Sequence, residues 1–141
     1  MAAALAEELV GRFEADRISL PAICLSADPT LLTCIANDFG YDRVFSRQVE
    51  GLGRPGDVLV VFSSSGNSNN IVAALQTAKA TGLLTIALLG KGGGRCLGQA
   101  HFEIIVPDTN TARIQEVHTL ILHCWLKLIE STDWRRSLYL A

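Results

Sequence analysis

The chain has 141 residues, 49% apolar and 18% charged, with a formal net charge of −2 from 12 basic and 14 acidic side chains. That length suits one domain with a real core, and the apolar fraction excludes a disordered chain. The near-neutral balance excludes the electrostatic footprint of a nucleic-acid or anionic-membrane binder.

Residues 1–14, rich in Ala, Leu and Glu, predict a helix with Gly11 near its end. The start MAAALAEELVGRFEADR is acidic and lacks a basic n-region, so neither a signal peptide nor a transmembrane helix is expected. The run PAICLS at 21–26 predicts a short buried strand. Asp28 and Pro29 then read as an N-cap and first helical position, opening a helix over 28–36. NDFG at 37–40 reads as a turn. Residues 42–52 make an amphipathic helix with Val44, Phe45, Val49 and Leu52 on one face, broken by GRPG at 53–56.

A second strand is predicted over 57–62, followed by the serine-rich stretch FSSSGNSNN and a helix over 67–81 closed by Gly82. LLTIALL at 83–89 is a continuous apolar run of strand length. GKGGG at 90–94 reads as a flexible turn before a short helix. HFEIIVP at 101–107 predicts the last strand and 111–130 a long helix. No internal repeat appears, and the whole chain, 1–141, reads as one domain. The four cysteines, Cys24, Cys34, Cys96 and Cys124, show no CxxC spacing and sit in apolar contexts, which predicts reduced core thiols in a cytoplasmic protein. Apolar strands alternating with helices imply an α/β fold with a doubly wound parallel sheet covered on both faces. In such folds ligands bind beyond the carboxyl ends of the strands.

The serine stretch lies at such an end. It closes a strand and opens a helix, where free backbone amides favour an anion. Ser63, Ser64, Ser65 and Ser68 offer hydroxyl donors there, and Gly66 lets the backbone come close. No lysine follows the glycine, so this is not a Walker loop, and a phosphate on a small molecule is the better candidate. The plainer reading is a serine N-cap and turn with no ligand. On the last helix, Gln115 and His123 are eight residues apart. At about 100° per residue they share one face, and their apolar neighbours predict that it is buried or lines a cleft, with His118 pointing elsewhere. A histidine on such a helix is more often a hydrogen-bonded core residue than a catalyst. Glu7 and Glu8 in AEELVGR read by themselves as an ordinary solvated helix face.

The segments AEELVGRF, ANDFGYDRVFSRQVEGLGRPGDVLVVFSSSGNS and TARIQEVHTLILHCWLKLIE resemble the phosphoheptose isomerases of the sugar isomerase (SIS) domain superfamily, from about residue 6 to 130. The resemblance implies a three-layer αβα SIS fold. It also implies an aldose–ketose isomerisation of sedoheptulose 7-phosphate to D-glycero-D-manno-heptose 7-phosphate, toward the ADP- or GDP-heptose of surface glycans. By family motif Glu8 is the carboxylate base and His123 the partner acid/base. The serines of the loop hold phosphate, Asn37 and Asp38 lie near sugar hydroxyls, and Gln115 sits beside the reacting end. The family is tetrameric with sites built from more than one subunit, so a homo-oligomer, tetramer or dimer, is expected. No nucleic-acid or membrane partner is expected.

The sequence departs from the family in three places. The family's first, central strand and its Gly-Asn-Gly-Gly-Ser loop precede the AEELVGR helix and have no counterpart here. The strands at 21–26 and 57–62 are then expected to close up on each other, to take a partner's strand, or to belong to a remade sheet. Some members hold zinc with a histidine one turn before the glutamate, together with this Glu, Gln and His. That position is Ala4, which leaves Glu8, Gln115 and His123 as weak zinc donors. Ala112 stands where some relatives carry aspartate. Two functions therefore stay open: a phosphosugar isomerase, or a non-catalytic or shortened SIS module that binds a phosphosugar or a protein.

Overall fold

The computed structural model describes residues 1–132; the predicted tail with Trp134 lies outside them. The elements run α1 (Ala2–Val10), α2 (Pro29–Phe39), a 3-10 turn (Tyr41–Arg43), α3 (Ser46–Leu52), β1 (Val58–Ser63), α4 (Asn69–Ala80), β2 (Leu84–Gly90), a glycine-rich turn (Lys91–Cys96), β3 (Phe102–Val106) and α5 (Thr111–Glu130).

The sheet has three parallel strands in the order β1-β2-β3, with Val58 opposite Leu84 and Ile86 opposite Phe102. Side chains alternate across it. Val61, Ala87 and Leu89 meet Val72 and Leu75 of α4 on one face. Phe62 turns to the other face, where its ring lies 6.2 Å from that of His118 on α5. Helices therefore cover both faces, as the α/β reading requires. Behind α4, Ala78 packs with Val49 of α3 and with Leu83.

The strand predicted at 21–26 does not form. These residues are irregular, and Ile23 is 69% exposed. The reason is pairing. A strand is stable only against a neighbouring ladder, and no described strand lies beside β1 on that side. The segment satisfies itself differently. The buried Gln48 amide donates to the Leu25 carbonyl at 2.9 Å and to the Val44 carbonyl at 2.8 Å, and Leu25 packs on the α3–α4 cluster. The two runs therefore do not close up, and β1 is left as an edge.

Three further expectations shift. The N-terminal helix ends at Val10, because the Arg17 guanidinium occupies the carbonyls of Glu8 and Leu9, the latter at 2.8 Å. Asn37 and Asp38 belong to α2 rather than a turn. The Asp28 carboxylate caps that helix through the amides of Thr30 and Leu31, and it continues to Phe39. The helix predicted at 42–52 splits into the 3-10 turn and α3, joined through Ser46, whose hydroxyl donates to the Arg43 carbonyl at 3.3 Å.

α1 and the segment after it dock on α5 through Glu130. Its carboxylate accepts from the amides of Phe13, Glu14 and Ala15 at 2.8–3.0 Å and lies 3.6 Å from Arg17 Nε. The Ala15 amide foremost, then those of Glu14 and Phe13 and the Arg17 charge, holds this carboxyl below the ordinary glutamate value. A lowered folded value stabilises the protein above the ordinary glutamate pKa of about 4.3, and that contribution is lost as pH falls through the lower value. Glu130→Gln is expected to speed amide exchange at residues 13–15 at neutral pH and to flatten the acid limb of the stability curve. Hydrogen exchange and thermal melts against pH check both.

Candidate functional site

The serine loop leaves β1 at its carboxyl end. Its hydroxyls divide into two roles. Ser63 Oγ accepts from the Gly66 amide at 3.0 Å and Ser65 Oγ from the Asn67 amide at 3.2 Å. These two shape the turn, which is what the ligand-free reading expects of them. The hydroxyls of Ser64 and Ser68 make no hydrogen bond among the described residues, and Ser68 is the N-cap of α4 without a side-chain cap bond. The Ile71 and Val72 amides return to the Ser68 carbonyl, while those of Asn69 and Asn70 ahead of them have no backbone acceptor there. The free Ser68 hydroxyl and the free first-turn amides thus stand at one helix start, which suits an anion, with Ser64 in the loop that leads into it.

Sequence reasoning missed what holds this loop. The glycine-rich turn after β2 is not a free flexible turn but is interlocked with the serine loop. A Cβ on Gly66, whose φ is +64°, would fall 1.9 Å from the Gly93 carbonyl oxygen. The Cys96 amide donates to the Gly66 carbonyl at 2.9 Å and the Arg95 amide to Asn67 Oδ1 at 3.1 Å. The Arg95 guanidinium reaches Asn69 Oδ1, and Asn69 Nδ2 donates to Asp42 Oδ2 at 3.1 Å. The glycine triplet was the available signal, since only a side-chain-free backbone permits such an approach.

The remaining predicted residues form two other groups. Asn37 and Asp38 are exposed on the last turn of α2, and the Asn37 amide donates to Asp38 Oδ1 at 2.7 Å. Glu8 is half-buried on α1 while its neighbour Glu7 is exposed. On α5 the buried face is Ile114, His118, Leu122 and Leu126. Gln115 and His123 are exposed on the single chain, so of the two expected alternatives burial is not met, while His123 does line a groove. α5 also carries Val117, Leu120 and Leu128 on its outside, so apolar neighbours did not identify the inner face. α1 lies against α5, and His123 stacks on Phe13 with centroids 5.4 Å apart. Beside them is an open groove of about 450 Å³ lined by Phe13, Glu14, His123, Cys124, Lys127 and Leu128. No hydrogen bond or ion pair joins Glu8 to His123 among the described residues.

Of the cysteines only Cys96 is buried, and burial foremost raises its thiol pKa. Cys34 and Cys124 are exposed, against the expectation of core thiols, because they sit on the outward faces of α2 and α5. The donor set does not fit a tightly held zinc ion within one chain. Among the described residues no three His, Cys, Asp or Glu side chains come together, and a methyl group stands at Ala4. Nor is any described helix long and apolar enough to cross a membrane.

The SIS domain family model matches residues 1–90. A phosphoheptose isomerase of a Nitratiruptor species is 51% identical over 128 residues, covering 91% of this chain and 68% of that protein. One from Vibrio cholerae serotype O1 is 55% identical over 126 residues, covering 89% and 65%. Among solved structures, a phosphoheptose isomerase from Francisella tularensis superposes with a TM-score of 0.88 at 36% identity, covering 92% of this chain and 70% of that one. The chain thus spans about two thirds of the length of the relatives it matches. It belongs to the phosphoheptose isomerase family of SIS-domain proteins.

Proposed function

We propose that this chain is a phosphosugar isomerase that interconverts sedoheptulose 7-phosphate and D-glycero-D-manno-heptose 7-phosphate through an enediolate, in the cytoplasm, on the way to nucleotide-activated heptose. The observation that carries it is the serine loop, where Ser64, Ser68 and the first amides of α4 are left unpaired on a loop locked from behind by the glycine-rich turn.

The residues divide the chemistry. The loop binds the phosphate and so fixes one end of the sugar. Moving the carbonyl between C1 and C2 needs a base that takes a proton from C1, exchanges it with solvent while it holds it, and delivers one to C2. Glu8 takes that role. His123 carries protons between the two oxygens, and Gln115 donates to the enediolate. Asn37 and Asp38 meet the sugar hydroxyls. As the family resemblance implies, the site is completed between copies in a homo-oligomer. The outward apolar residues of α5, Val117, Leu120 and Leu128 at 37%, 62% and 66% exposure, support such an association. Among the described residues Glu8, Gln115 and His123 would be the donors to a zinc ion at this site.

The test is turnover of sedoheptulose 7-phosphate by the oligomeric protein, with and without added zinc, alongside calorimetric binding of the same sugar. Aldose formation that zinc does not raise is expected. Binding without turnover would favour the alternative, a non-catalytic or shortened SIS module.

A further inference from the structure

His118 is fully buried, in line with Ile114, Leu122 and Leu126 on the inner face of α5. Packing alone would take a leucine there. The imidazole instead leaves its Nδ1 buried without a hydrogen-bond partner, an unfavourable arrangement that calls for a reason. The other nitrogen supplies one. Nε2 lies 3.0 Å from the Leu89 carbonyl oxygen, which can only accept, so the neutral ring carries its proton on Nε2. The ring also lies against Phe62, 6.2 Å between centroids.

Both contacts fall on the penultimate residue of a strand, β1 and β2, just ahead of the loops that follow. Phe62 precedes Ser63, and Leu89 precedes Gly90. Gly90 is wedged between the helix and the serine loop: a Cβ there would lie 2.5 Å from Ile114 Cδ1 and 2.8 Å from the Ser64 carbonyl oxygen. An apolar side chain at 118 would fill the same space yet let α5 slide along the strands, whereas a directional hydrogen bond fixes its position.

We infer that His118 is a positioning residue, whose imidazole ties the helix bearing Gln115 and His123 to the strand ends bearing the serine loop and so holds the acid/base group at a set distance from the phosphate. The inference rests on the isomerase reading above. His118 is fully buried, so it acts through the groups it positions and not on the sugar itself.

The experiment compares the unaltered oligomer with His118→Leu and His118→Gln, with kcat and KM for sedoheptulose 7-phosphate normalised to folded protein. For His118→Leu, kcat is expected to fall about 10–100-fold with KM nearly unchanged, since a displacement of about 1 Å can cost that much. His118→Gln, which restores a donor to the Leu89 carbonyl, should recover most of the loss. Unchanged kcat in His118→Leu, or no rescue by His118→Gln, overturns the inference. Should His118→Leu not fold, His118→Gln decides alone: kcat within about fivefold of the unaltered protein sustains the inference, and a loss near 100-fold overturns it. If the unaltered protein binds the sugar without turning it over, the isomerase reading has failed and the tie is read from the His123 ring proton signals. Inorganic phosphate should then shift them in the unaltered protein and not in His118→Leu. Equal shifts in both, or none in the unaltered protein, overturn the inference.

Discussion

Glu8→Gln is expected to remove turnover, by about 10²–10⁴-fold, while leaving affinity for the sugar phosphate within a few-fold. The amide keeps the shape and hydrogen-bonding reach of the carboxylate. It cannot take a proton from carbon. Binding is expected to survive because the unpaired donors lie on the serine loop, which has no hydrogen bond to α1. Glu7→Gln is the matched control. It lies one residue away on the exposed side of the same helix, so it should leave kcat and KM alone. Steady-state kinetics on both variants, with calorimetry on Glu8→Gln, checks the pair of outcomes. Loss of binding in folded Glu8→Gln would instead make Glu8 a ligand of the sugar or of a metal.

Gly66→Ala carries the second large effect. The left-handed φ of +64° costs an alanine about 1–2 kcal/mol. The new methyl would also sit 1.9 Å from one Gly93 backbone atom and 2.4 Å from another, so one loop must move. A total loss of about 2–4 kcal/mol in stability is expected. Affinity for the sugar phosphate should fall about tenfold or more, the equivalent of one charge-assisted hydrogen bond at about 1.5–3 kcal/mol. Gly40→Ala separates the two causes. It has φ +84° but open space around the added carbon, so it should show the backbone cost alone, with binding intact. Denaturant melts and calorimetry read both quantities.

The contrast between 57–62 and 21–26 shows how far the sequence can be read. Both are apolar runs of strand length. One forms a strand from residue 58 that pairs with β2 from Val58 opposite Leu84 to Ser63 opposite Leu89, while the other has no ladder beside it and remains irregular. Local pattern reports that a segment can be buried; it does not report whether a neighbour exists to accept its amides. The same limit hid the lock on the serine loop. Asn67 and Arg95 are 28 residues apart, and their contact depends on how two strand ends meet. The α5 faces were ambiguous for another reason, since apolar residues at 117, 120 and 128 blur the boundary that periodicity would draw.

The site was legible in unequal parts. The position of the serine loop, after a strand and before a helix, follows from the turn chemistry of FSSSGNSNN and held in the structure. The choice of Glu8 over Glu7 came from family resemblance alone. Their burial, half-buried against exposed, runs in the direction that choice requires. His118 was seen as pointing away from His123, which is so, but its bond to Leu89 needed the packed sheet to appear.

The proposed reaction is proton transfer between C1 and C2 of a phosphorylated ketose. Incubating the oligomer with sedoheptulose 7-phosphate in D2O and following the sugar by NMR tests it most directly. The expected result is aldose that carries deuterium at C2, formed by the unaltered protein and not by Glu8→Gln. Sugar that binds at the serine loop yet keeps both C1 protons and yields no aldose would contradict the isomerase account and leave a binding module in its place.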